Sequence, residues 1–509
     1  MKQAKETNKV LFVGSERICR QVAYVLAIEN YKIVETLTNE NYDQYQDYTI
    51  YVCEFKRKSK KLITKIWKSK KDIQYLDDIC RQIDKEYLVN RRRHRKELKK
   101  FNKKTLLSCC FGWIYNLLKV VWHLINGSTI KHRRKINKLK KLIINNNYSI
   151  IKSTYLDYLQ YLDLSVLFLY VLRAPVNKNI QCSLLESHMH IIDDQIYGCC
   201  SAILSFGSLL TTDNLFDIYH SVKARIIKLS SLNGSYCLCN TYSWCPHFCV
   251  SAENSNKSFF EIKYPKSVTL AFDRTCNLHC KSCRNERYIM DDLTQKKTDL
   301  ILSKILDSKF LNHTQNLTVA GQGEVFYSRY YRKLLEVDLQ CENICIMSNG
   351  TLFNEENWNW IKNKYNLFDV IISVDAARAE TYSKLRCGGD FQILIKNLKF
   401  ISSLKNEGLI RKFNLNFVVQ RDNFREMPDF VRLGKSLGVN FIEFQRMNDY
   451  GSFSKEILLQ RCLIINDEYL DYELWQVLQD PIFKDPIVDL SGLNRYIVAS
   501  DIKYGKNKC

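Results

Sequence analysis

The chain contains little glycine and proline for its length. Only 17 Gly and 6 Pro occur among 509 residues, which argues against long loose linkers, a collagen-like repeat and Pro/Gly-rich low-complexity segments. The first ten residues, MKQAKETNKV, lack the apolar stretch of a secretory signal peptide. The nine histidines include no H-x-x-x-H pair and suggest no catalytic base. The sequence therefore predicts a protein with well-packed helices and strands, and it predicts a reducing cytosol as its compartment.

Hydrophobic residues make up 46% of the chain and charged residues 26%, which is typical of a folded globular protein. A chain of 509 residues is too long for a single hydrophobic core. We therefore expect two to four domains.

Positive charge is concentrated in one segment. Residues 91–141 contain 17 Lys and Arg against one acid, Glu97, which gives +16 of the chain's net charge of +22. Within this segment, residues 105–126 predict an amphipathic helix with a narrow polar stripe. Basic flanks on both sides favour a helix in the plane of an anionic membrane surface over a spanning helix. A basic insertion that packs on the protein or on a second subunit is the alternative. Nucleic-acid binding is disfavoured because the aromatic residues are not interleaved with the basic ones.

The N-terminal 88 residues predict a small Rossmann-like α/β domain. An apolar run at 9–14 ends in Gly14, a helix-compatible stretch follows, and strand-like runs occur at 31–37 and 48–55. Glu16 and Cys19 stand where a dinucleotide fingerprint would have its second and third glycines. The pattern therefore indicates the fold without predicting a dinucleotide site.

Residues 266–450 alternate between strand-like and helix-like segments. The apolar runs lie at 267–272, 316–321, 343–347, 370–374, 413–420 and 440–444. Six β/α repeats predict an open (β/α)6 partial TIM barrel, whose site gathers at the carboxyl ends of its strands.

Three closely spaced cysteines directly follow the first predicted barrel strand. Cys276, Cys280 and Cys283 form a C-x3-C-x2-C pattern. Three thiolates on one loop can bind three irons of a [4Fe–4S] cluster and leave the fourth iron open to a small molecule. A zinc site, the alternative, usually has four protein ligands.

This cysteine spacing resembles that of the radical S-adenosylmethionine superfamily, and motifs at the next strand ends extend the resemblance. Gly321-Gln322-Gly323-Glu324 looks like the Gly-Gly-Glu-type element that holds the methionine amino group. Ser348-Asn349-Gly350-Thr351 resembles the family's S/T-N-G-T turn, which lies beside the ribose, and Ser373 and Asp375 match the family's S-x-D motif. Arg386 matches an arginine that pairs with the methionine carboxylate. Gln420 and Phe444, at the last two strand ends, are further candidates.

The resemblance implies a mechanism and cofactors. A reduced [4Fe–4S] cluster would bind S-adenosylmethionine and cleave it reductively to a 5′-deoxyadenosyl radical, which abstracts hydrogen from a substrate. The substrate would be a peptide, a protein or a nucleotide-linked sugar, and the reductant a flavodoxin or ferredoxin. The alternative is a membrane-docked iron–sulfur binding or electron-transfer protein without substrate turnover.

A second group of cysteines lies upstream of the barrel. Cys239-x5-Cys245-x3-Cys249 resembles part of a SPASM domain, which binds auxiliary clusters, and the stretch from Cys182 to Cys199 resembles its opening. The resemblance implies an auxiliary [4Fe–4S] cluster held by Cys182, Cys199, Cys239 and Cys245, with Cys200, Cys237 and Cys249 in reserve. A structural zinc or buried thiols remain alternatives.

The predicted organisation has five parts. They are a Rossmann-like domain (1–88), a basic segment with an amphipathic helix (89–150), a cysteine-rich SPASM-like module (151–265), a radical S-adenosylmethionine core (266–450) and a C-terminal extension (451–509). We expect a cytoplasmic protein that can bind peripherally to the inner membrane face.

Overall fold

The structure is a computed structural model. It describes residues 9–13, 15–29, 31–34, 48–53, 73–75, 83, 128–144, 159–160, 162–177, 182, 184–199, 203–211, 214–239, 262–284, 286–365, 368–448, 453–466, 468–490 and 492–505. The predicted amphipathic helix at 105–126 and Gly14 lie outside these residues.

The N-terminal residues form a four-stranded parallel sheet. Its strands are β1 (Lys9–Val13), β2 (Tyr31–Val34), β3 (Tyr48–Val52) and β4 (Ile73–Tyr75), in the order β2-β1-β3-β4. Helix α1 (Glu16–Leu26) follows β1 and buries its apolar face, including Val22 and Ala23. The central place of β1 agrees with its buried apolar run. The Rossmann-like domain over 1–88 stays a prediction, because most residues that connect the later strands lie outside those described.

Short helices occupy much of the middle of the chain. They are α2 (Ser128–Ile144), α3 (Leu164–Arg173), α4 (Leu184–Ser187), α5 (Leu215–Tyr219) and α6 (Val222–Leu232). Arg225 on α6 donates to the carbonyl of Val25 on α1 at 2.8 Å. The middle region therefore packs against helix α1 of the N-terminal region.

A ten-stranded mixed sheet forms the centre of the molecule. Its strands are β5 (His188–Ile192), β6 (Gln195–Tyr197), β7 (Gly207–Ser208), β8 (Ser267–Ala271), β9 (Asn316–Val319), β10 (Asn343–Ser348), β11 (Phe368–Ser373), β12 (Lys412–Val419), β13 (Phe441–Arg446) and β16 (Val488–Asp489). The order is β16-β13-β12-β11-β10-β9-β8-β5-β6-β7. Strands β8 to β13 are parallel and adjacent in chain order.

Helices connect these parallel strands. They are α7 (Asp292–Asp307), α8 (Arg329–Glu336), α9 (Glu355–Ile361), α10 (Ala379–Leu385), α11 (Phe391–Asn406) and α12 (Met427–Ser436). Right-handed crossovers that always advance in one direction place their helices on the same face of the sheet. Six parallel strands joined by five such crossovers are therefore consistent with an open barrel rather than a doubly wound sheet.

Strands from outside the predicted barrel extend the same sheet at both edges. β5 pairs in parallel with β8, and β16 pairs in parallel with β13. The C-terminal residues also form α13 (Lys455–Arg461), a hairpin of β14 (Ile464–Ile465) and β15 (Tyr469–Leu470), α14 (Tyr472–Val477) and α15 (Asn494–Gly505). The predicted upstream module and C-terminal extension therefore share a sheet with the predicted core.

Alternation along β10 separates a fully buried side from a partly exposed side. On β10, Ile344 and Ile346 are fully buried while Cys345 and Met347 are partly exposed. The helices start at capping residues that the sequence supplies: the Asp291 and Asp390 side chains accept from backbone N–H groups in the first turns of α7 and α11. These local preferences fix the strand ends where the site is built.

Across the part of the chain with described coordinates, we find no helix that is both long and apolar enough to span a bilayer.

Candidate active site

A cavity of about 130 Å³ lies at the carboxyl ends of β8 to β11. Its walls bring together the three cysteines and seven of the nine cofactor candidates named from the sequence. The lining residues are Cys276, Leu278, Cys280, Cys283, Arg284, Ala320, Gly321, Gln322, Gly323, Met347, Ser348, Asn349, Ser373 and Arg386. The other two candidates, Glu324 and Asp375, are buried beside it and fully shielded from solvent.

The cysteine loop after β8 is fixed by backbone contacts with the turn that follows α10. The N–H of His279 donates to the carbonyl of Cys387 at 3.1 Å, and the N–H of Lys281 donates to that of Leu385 at 2.9 Å. Arg461, at the end of α13, donates to the carbonyl of Lys281 at 2.5 Å. Two distant parts of the chain therefore hold the cysteine loop.

Each cysteine sulfur has a nitrogen donor nearby. The Cys276 sulfur lies 3.4 Å from the N–H of Leu278 and 3.7 Å from the Asn349 side-chain amide. The Cys280 sulfur lies 3.6 Å from Arg386. The Cys283 sulfur lies 3.4 Å from the guanidinium of its neighbour Arg284. N–H groups aimed at sulfur stabilise negative charge there, as thiolate ligation requires.

Burial raises the pKa of two of the three thiols. Burial, with a contribution from Glu324, raises the pKa of Cys276 to about 12. Burial also raises the pKa of Cys280, while Arg386 acts against the increase. Since metals bind the thiolate, binding must displace these protons.

Within the described ranges, no three His, Cys, Asp or Glu side chains converge as ligands of a single metal ion. This result excludes a site for a single metal ion among the described residues, but it does not test for a metal cluster. In a [4Fe–4S] cluster each cysteine binds a different iron, so three cysteines that stand apart around one cavity are compatible with it.

Gly323 allows the backbone after β9 to approach the cysteine loop closely. Its φ is +74°, and a Cβ at this position would lie 2.6 Å from the carbonyl oxygen of Asp273 and 2.7 Å from that of Thr275. The N–H of Glu324 donates to the same Thr275 carbonyl at 2.9 Å. Only glycine fits this contact, because it has no Cβ and tolerates positive φ.

Glu324 is an internal connector between two strand ends. Its carboxylate accepts from the Ser348 hydroxyl and the Asn349 N–H, both at 2.7 Å, and from the Phe326 N–H at 3.4 Å. Burial raises the pKa of Glu324 to about 6, although these donors oppose the increase. Its oxygens therefore organise the loops after β9 and β10.

Asn349 links the turn after β10 to the first cysteine. Its side-chain amide donates to the Asn277 Oδ1 at 2.9 Å, and its own Oδ1 accepts from the Thr351 N–H at 2.9 Å. Asn277 in turn donates to the Thr351 hydroxyl at 2.9 Å. The polar turn that the sequence singles out thus forms one wall of the cavity.

Arg386 and Asp375 form a buried ion pair. Their closest atoms are 2.9 Å apart, with the side chains 8% and 0% exposed. Burial alone would lower the pKa of Arg386, but Asp375 and Cys280 outweigh burial and hold that pKa above its usual range. The guanidinium is therefore a permanent positive charge at the cavity wall.

The residues around the cavity fit a cluster with a bound amino-acid-like ligand. Three cysteines face the cavity, and the Arg386 Nε is buried with no hydrogen-bond partner among the described residues. A buried N–H without a partner is uncommon in native structures and is satisfied by an anionic ligand group.

Two of the upstream cysteines, Cys182 and Cys239, lie near the end of α6. The carbonyl of Cys182 accepts from Ser231 at 3.1 Å, and its N–H donates to the Tyr236 hydroxyl at 3.0 Å. The Cys239 N–H donates to the Tyr236 carbonyl at 3.0 Å. Cys199 is buried on the segment after β6. Cys245, the fourth predicted ligand, and the reserve residues Cys200 and Cys249 lie outside the described residues.

Sequence reasoning did not single out several cavity residues. Leu278 and Arg284 adjoin the cysteines, and Met347 precedes the Ser-Asn turn. Because these residues are next to the cysteine motif or the Ser-Asn turn in the sequence, they could have been predicted as cavity residues. Of the two further candidates, Gln420 is fully buried with no hydrogen-bond partner for its amide in the described part of the chain. Phe444 is also fully buried and packs against Phe417 in the core.

No family model matches the chain. Among curated proteins, it is 26% identical over 194 residues to a probable GTP 3′,8-cyclase of Saccharolobus solfataricus. The matched segment covers 36% of this chain and 58% of that protein. It is 24% identical over 195 residues to AlbA, the antilisterial bacteriocin subtilosin biosynthesis protein of Bacillus subtilis, which covers 38% of this chain and 41% of AlbA. The chain thus spans about half the length of these relatives.

Solved structures give weaker similarity. Streptococcus suis SuiB bound to its precursor peptide SuiA has a TM-score of 0.29 at 14% identity, covering 38% of this chain and 42% of SuiB. The anSMEcpe structure with bound AdoMet has a TM-score of 0.28 at 22% identity, covering 37% of this chain and 54% of that one. The fold therefore rests on the strand order of this chain itself.

Both sequence relatives are radical S-adenosylmethionine enzymes. The chain is therefore similar in sequence to radical S-adenosylmethionine enzymes, and its C-x3-C-x2-C loop lies at the carboxyl end of the first of six sequential parallel strands.

Proposed function

We propose that this chain binds a [4Fe–4S] cluster through Cys276, Cys280 and Cys283, binds S-adenosylmethionine beside it, and modifies a peptide or protein. The observation that carries the proposal is the cavity where the three cysteines meet Gly321–Gly323, Ser348, Asn349, Ser373 and Arg386. An electron-transfer protein without turnover would not need a polar small-molecule cavity at its cluster.

The cluster, when bound, would supply the electron that cleaves the sulfonium of S-adenosylmethionine. The chain's own residues have binding and orienting roles. The unpartnered Arg386 Nε suits a carboxylate, and Gly321, Gln322 and Gly323 line the same cavity. Ser373 and Asn349 present hydroxyl and amide groups at the same cavity.

The peptide class is favoured by the relative from bacteriocin biosynthesis, since AlbA acts in making subtilosin, as its name states. The GTP 3′,8-cyclase relatives support a second candidate class, a nucleoside triphosphate. The described cavity is small, at about 130 Å³, and so leaves a larger substrate to approach from the open barrel mouth.

An anaerobic turnover assay tests the proposed function. The protein is reconstituted with iron and sulfide, reduced, and given S-adenosylmethionine with or without GTP. We expect 5′-deoxyadenosine in both samples and no conversion of GTP. Conversion of GTP coupled to 5′-deoxyadenosine would contradict the peptide class, and no 5′-deoxyadenosine at all would contradict the proposal.

We also propose an auxiliary cluster at Cys182, Cys199, Cys239 and Cys245. The support is the position of two of these residues, Cys182 and Cys239, which both contact Tyr236 just after α6. Two [4Fe–4S] clusters correspond to about eight irons per chain, and one to about four. We expect the Cys239→Ala/Cys245→Ala variant to lose half of the bound iron. Unchanged iron content, or bound zinc in the wild type, would contradict the auxiliary cluster.

A further inference from the structure

A chain of polar contacts runs from the cysteine loop to the end of β11. Ser282 donates from its hydroxyl to Asp375 at 3.2 Å, Asp375 pairs with Arg386 at 2.9 Å, and Arg386 lies 3.6 Å from the Cys280 sulfur. We propose that Ser282 and Asp375 are positioning residues, which hold the cysteine loop and fix Arg386 against the cluster. The inference rests on the proposed function for the identity of the cluster.

Both carboxylate oxygens of Asp375 already have partners within the protein. Its Oδ1 accepts from the Val418 N–H at 2.8 Å, and its Oδ2 faces both Ser282 and Arg386. The side chain is fully buried and does not line the cavity. Its role is therefore internal, and it differs from the cofactor contact that the S-x-D resemblance implies.

The backbone of Asp375 is strained. Its φ is +65°, in the left-handed region that is uncommon for residues other than glycine. The Asn423 side chain donates to the Asp375 carbonyl at 2.9 Å and so helps to hold this conformation. Such strain persists where the surrounding structure fixes a residue for a function.

The contacts on either side of Arg386 explain how this residue reaches the cluster loop. Leu385 and Cys387 accept from the backbone of Lys281 and His279, so Arg386 is directly opposite Cys280. Ser282, the next residue of the loop, then reaches Asp375. Backbone and side-chain contacts thus form one unit that sets the distance between a positive charge and a ligand sulfur.

This arrangement predicts opposite effects of the two charges on the cluster. Reduction adds an electron, which the nearby Arg386 charge stabilises and the Asp375 charge opposes. Arg386→Gln should therefore lower the reduction potential, and Asp375→Asn should raise it. We expect a change of about tenfold in the reduction equilibrium for each, or about 59 mV for one electron. If Arg386 and Asp375 acted only in folding, the two substitutions would not shift the reduction potential in opposite directions.

The hydroxyl of Ser282 is tested separately. Ser282→Ala should increase the rate of iron loss to a chelator by roughly fivefold, the factor expected for one lost hydrogen bond. Ser282→Thr, which keeps a hydroxyl, should retain the wild-type rate. Ser436→Ala is the matched control, because Ser436 is exposed and, among the described residues, its hydroxyl bonds only to the Leu433 carbonyl of its own helix.

The experiment measures iron loss and the midpoint potential of the EPR signal that responds to S-adenosylmethionine. Equal iron loss from Ser282→Ala and Ser436→Ala, or potential shifts of the same sign for Asp375→Asn and Arg386→Gln, would overturn the inference. A wild-type signal that does not respond to S-adenosylmethionine would instead contradict the proposed function, while the iron-loss comparison would still test the loop contact.

Discussion

At the scale of single residues, Glu324 connects the strand ends that form the cavity. Its carboxylate accepts three hydrogen bonds, from Ser348, Asn349 and Phe326, and is fully buried. Glu324→Gln keeps the shape but turns one acceptor into a donor, so one N–H or O–H must lose its partner. We expect the free energy of unfolding to fall by about 1–3 kcal/mol.

Urea denaturation of both forms at a pH above the Glu324 pKa of about 6 measures this loss. Glu355→Gln is the control, since Glu355 is exposed in the first turn of α9. Equal stability of the wild type and Glu324→Gln would show that the carboxylate does not organise these loops.

A second residue-scale prediction concerns two histidines on β5. Burial lowers the pKa of both His188 and His190 to about 4, whereas an unfolded histidine has a pKa of about 6.5. Between these two pKa values the unfolded state binds more protons than the folded state. The free energy of unfolding is therefore highest above the unfolded pKa and falls as the pH drops toward about 4. His190→Phe should therefore weaken the acid dependence of the unfolding free energy. Denaturation midpoints measured across this range test it, and an unchanged slope would contradict it.

At the scale of elements, the close contact between the loops after β8 and β9 depends on Gly323. Gly323→Ala would force a Cβ against two backbone carbonyls, where nothing flexible can move aside. Gly408→Ala is a matched control, because Gly408 has a similar φ of +75° and nothing within 4 Å of its Cβ. Positive φ costs a non-glycine residue about 1–2 kcal/mol.

We expect Gly323→Ala to lose clearly more stability than Gly408→Ala, together with cluster occupancy. Denaturation midpoints and iron content per chain provide the measurements. If the two variants lose the same stability and both keep their iron, the contact with Asp273 and Thr275 does not constrain the site.

Much of the parallel part of the central sheet was predictable from its elements. Strands β8 to β13 lie at the predicted apolar runs, since alternating strand and helix patterns in a parallel sheet leave a strong local signal. The wall residues Gly321, Asn349 and Ser373 also follow from the rule that sites lie at strand ends. The inward role of Glu324 and Asp375 was not predictable, because it depends on donors from Ser348, Val418 and Ser282, which are distant in sequence.

The joining of β5 and β16 to the central sheet was not predictable either. β16 has only two residues and β5 carries two histidines, so neither gives a strong strand pattern. Their pairing is decided by neighbouring strands rather than by local sequence. Hence the predicted boundaries at 265 and 450 fall inside a shared sheet.

At the scale of the whole molecule, the C-terminal residues pack into the core beside the central sheet. Phe483, after α14, packs against Phe444 on β13 with ring centroids 5.8 Å apart, and it is 8% exposed. Phe483→Ala should cost about 3–5 kcal/mol of unfolding free energy, as expected for removing a buried aromatic ring. Tyr472→Ala, at a position 50% exposed, serves as the control.

Denaturation midpoints of these two variants decide whether the extension is integral to the core. A loss for Phe483→Ala no larger than that for Tyr472→Ala would mean that the C-terminal residues pack only loosely on the barrel.

The central claim is that Cys276, Cys280 and Cys283 bind the cluster that activates S-adenosylmethionine. The most direct measurement is the 5′-deoxyadenosine formed by the reconstituted, reduced protein, compared with that formed by the Cys276→Ala/Cys280→Ala/Cys283→Ala variant. Cys341→Ala/Cys345→Ala, which removes two cysteines outside both predicted ligand sets, is the control. We predict that the wild type and the control form 5′-deoxyadenosine and that the triple variant forms none. Product formed by the triple variant at the wild-type rate would contradict the account.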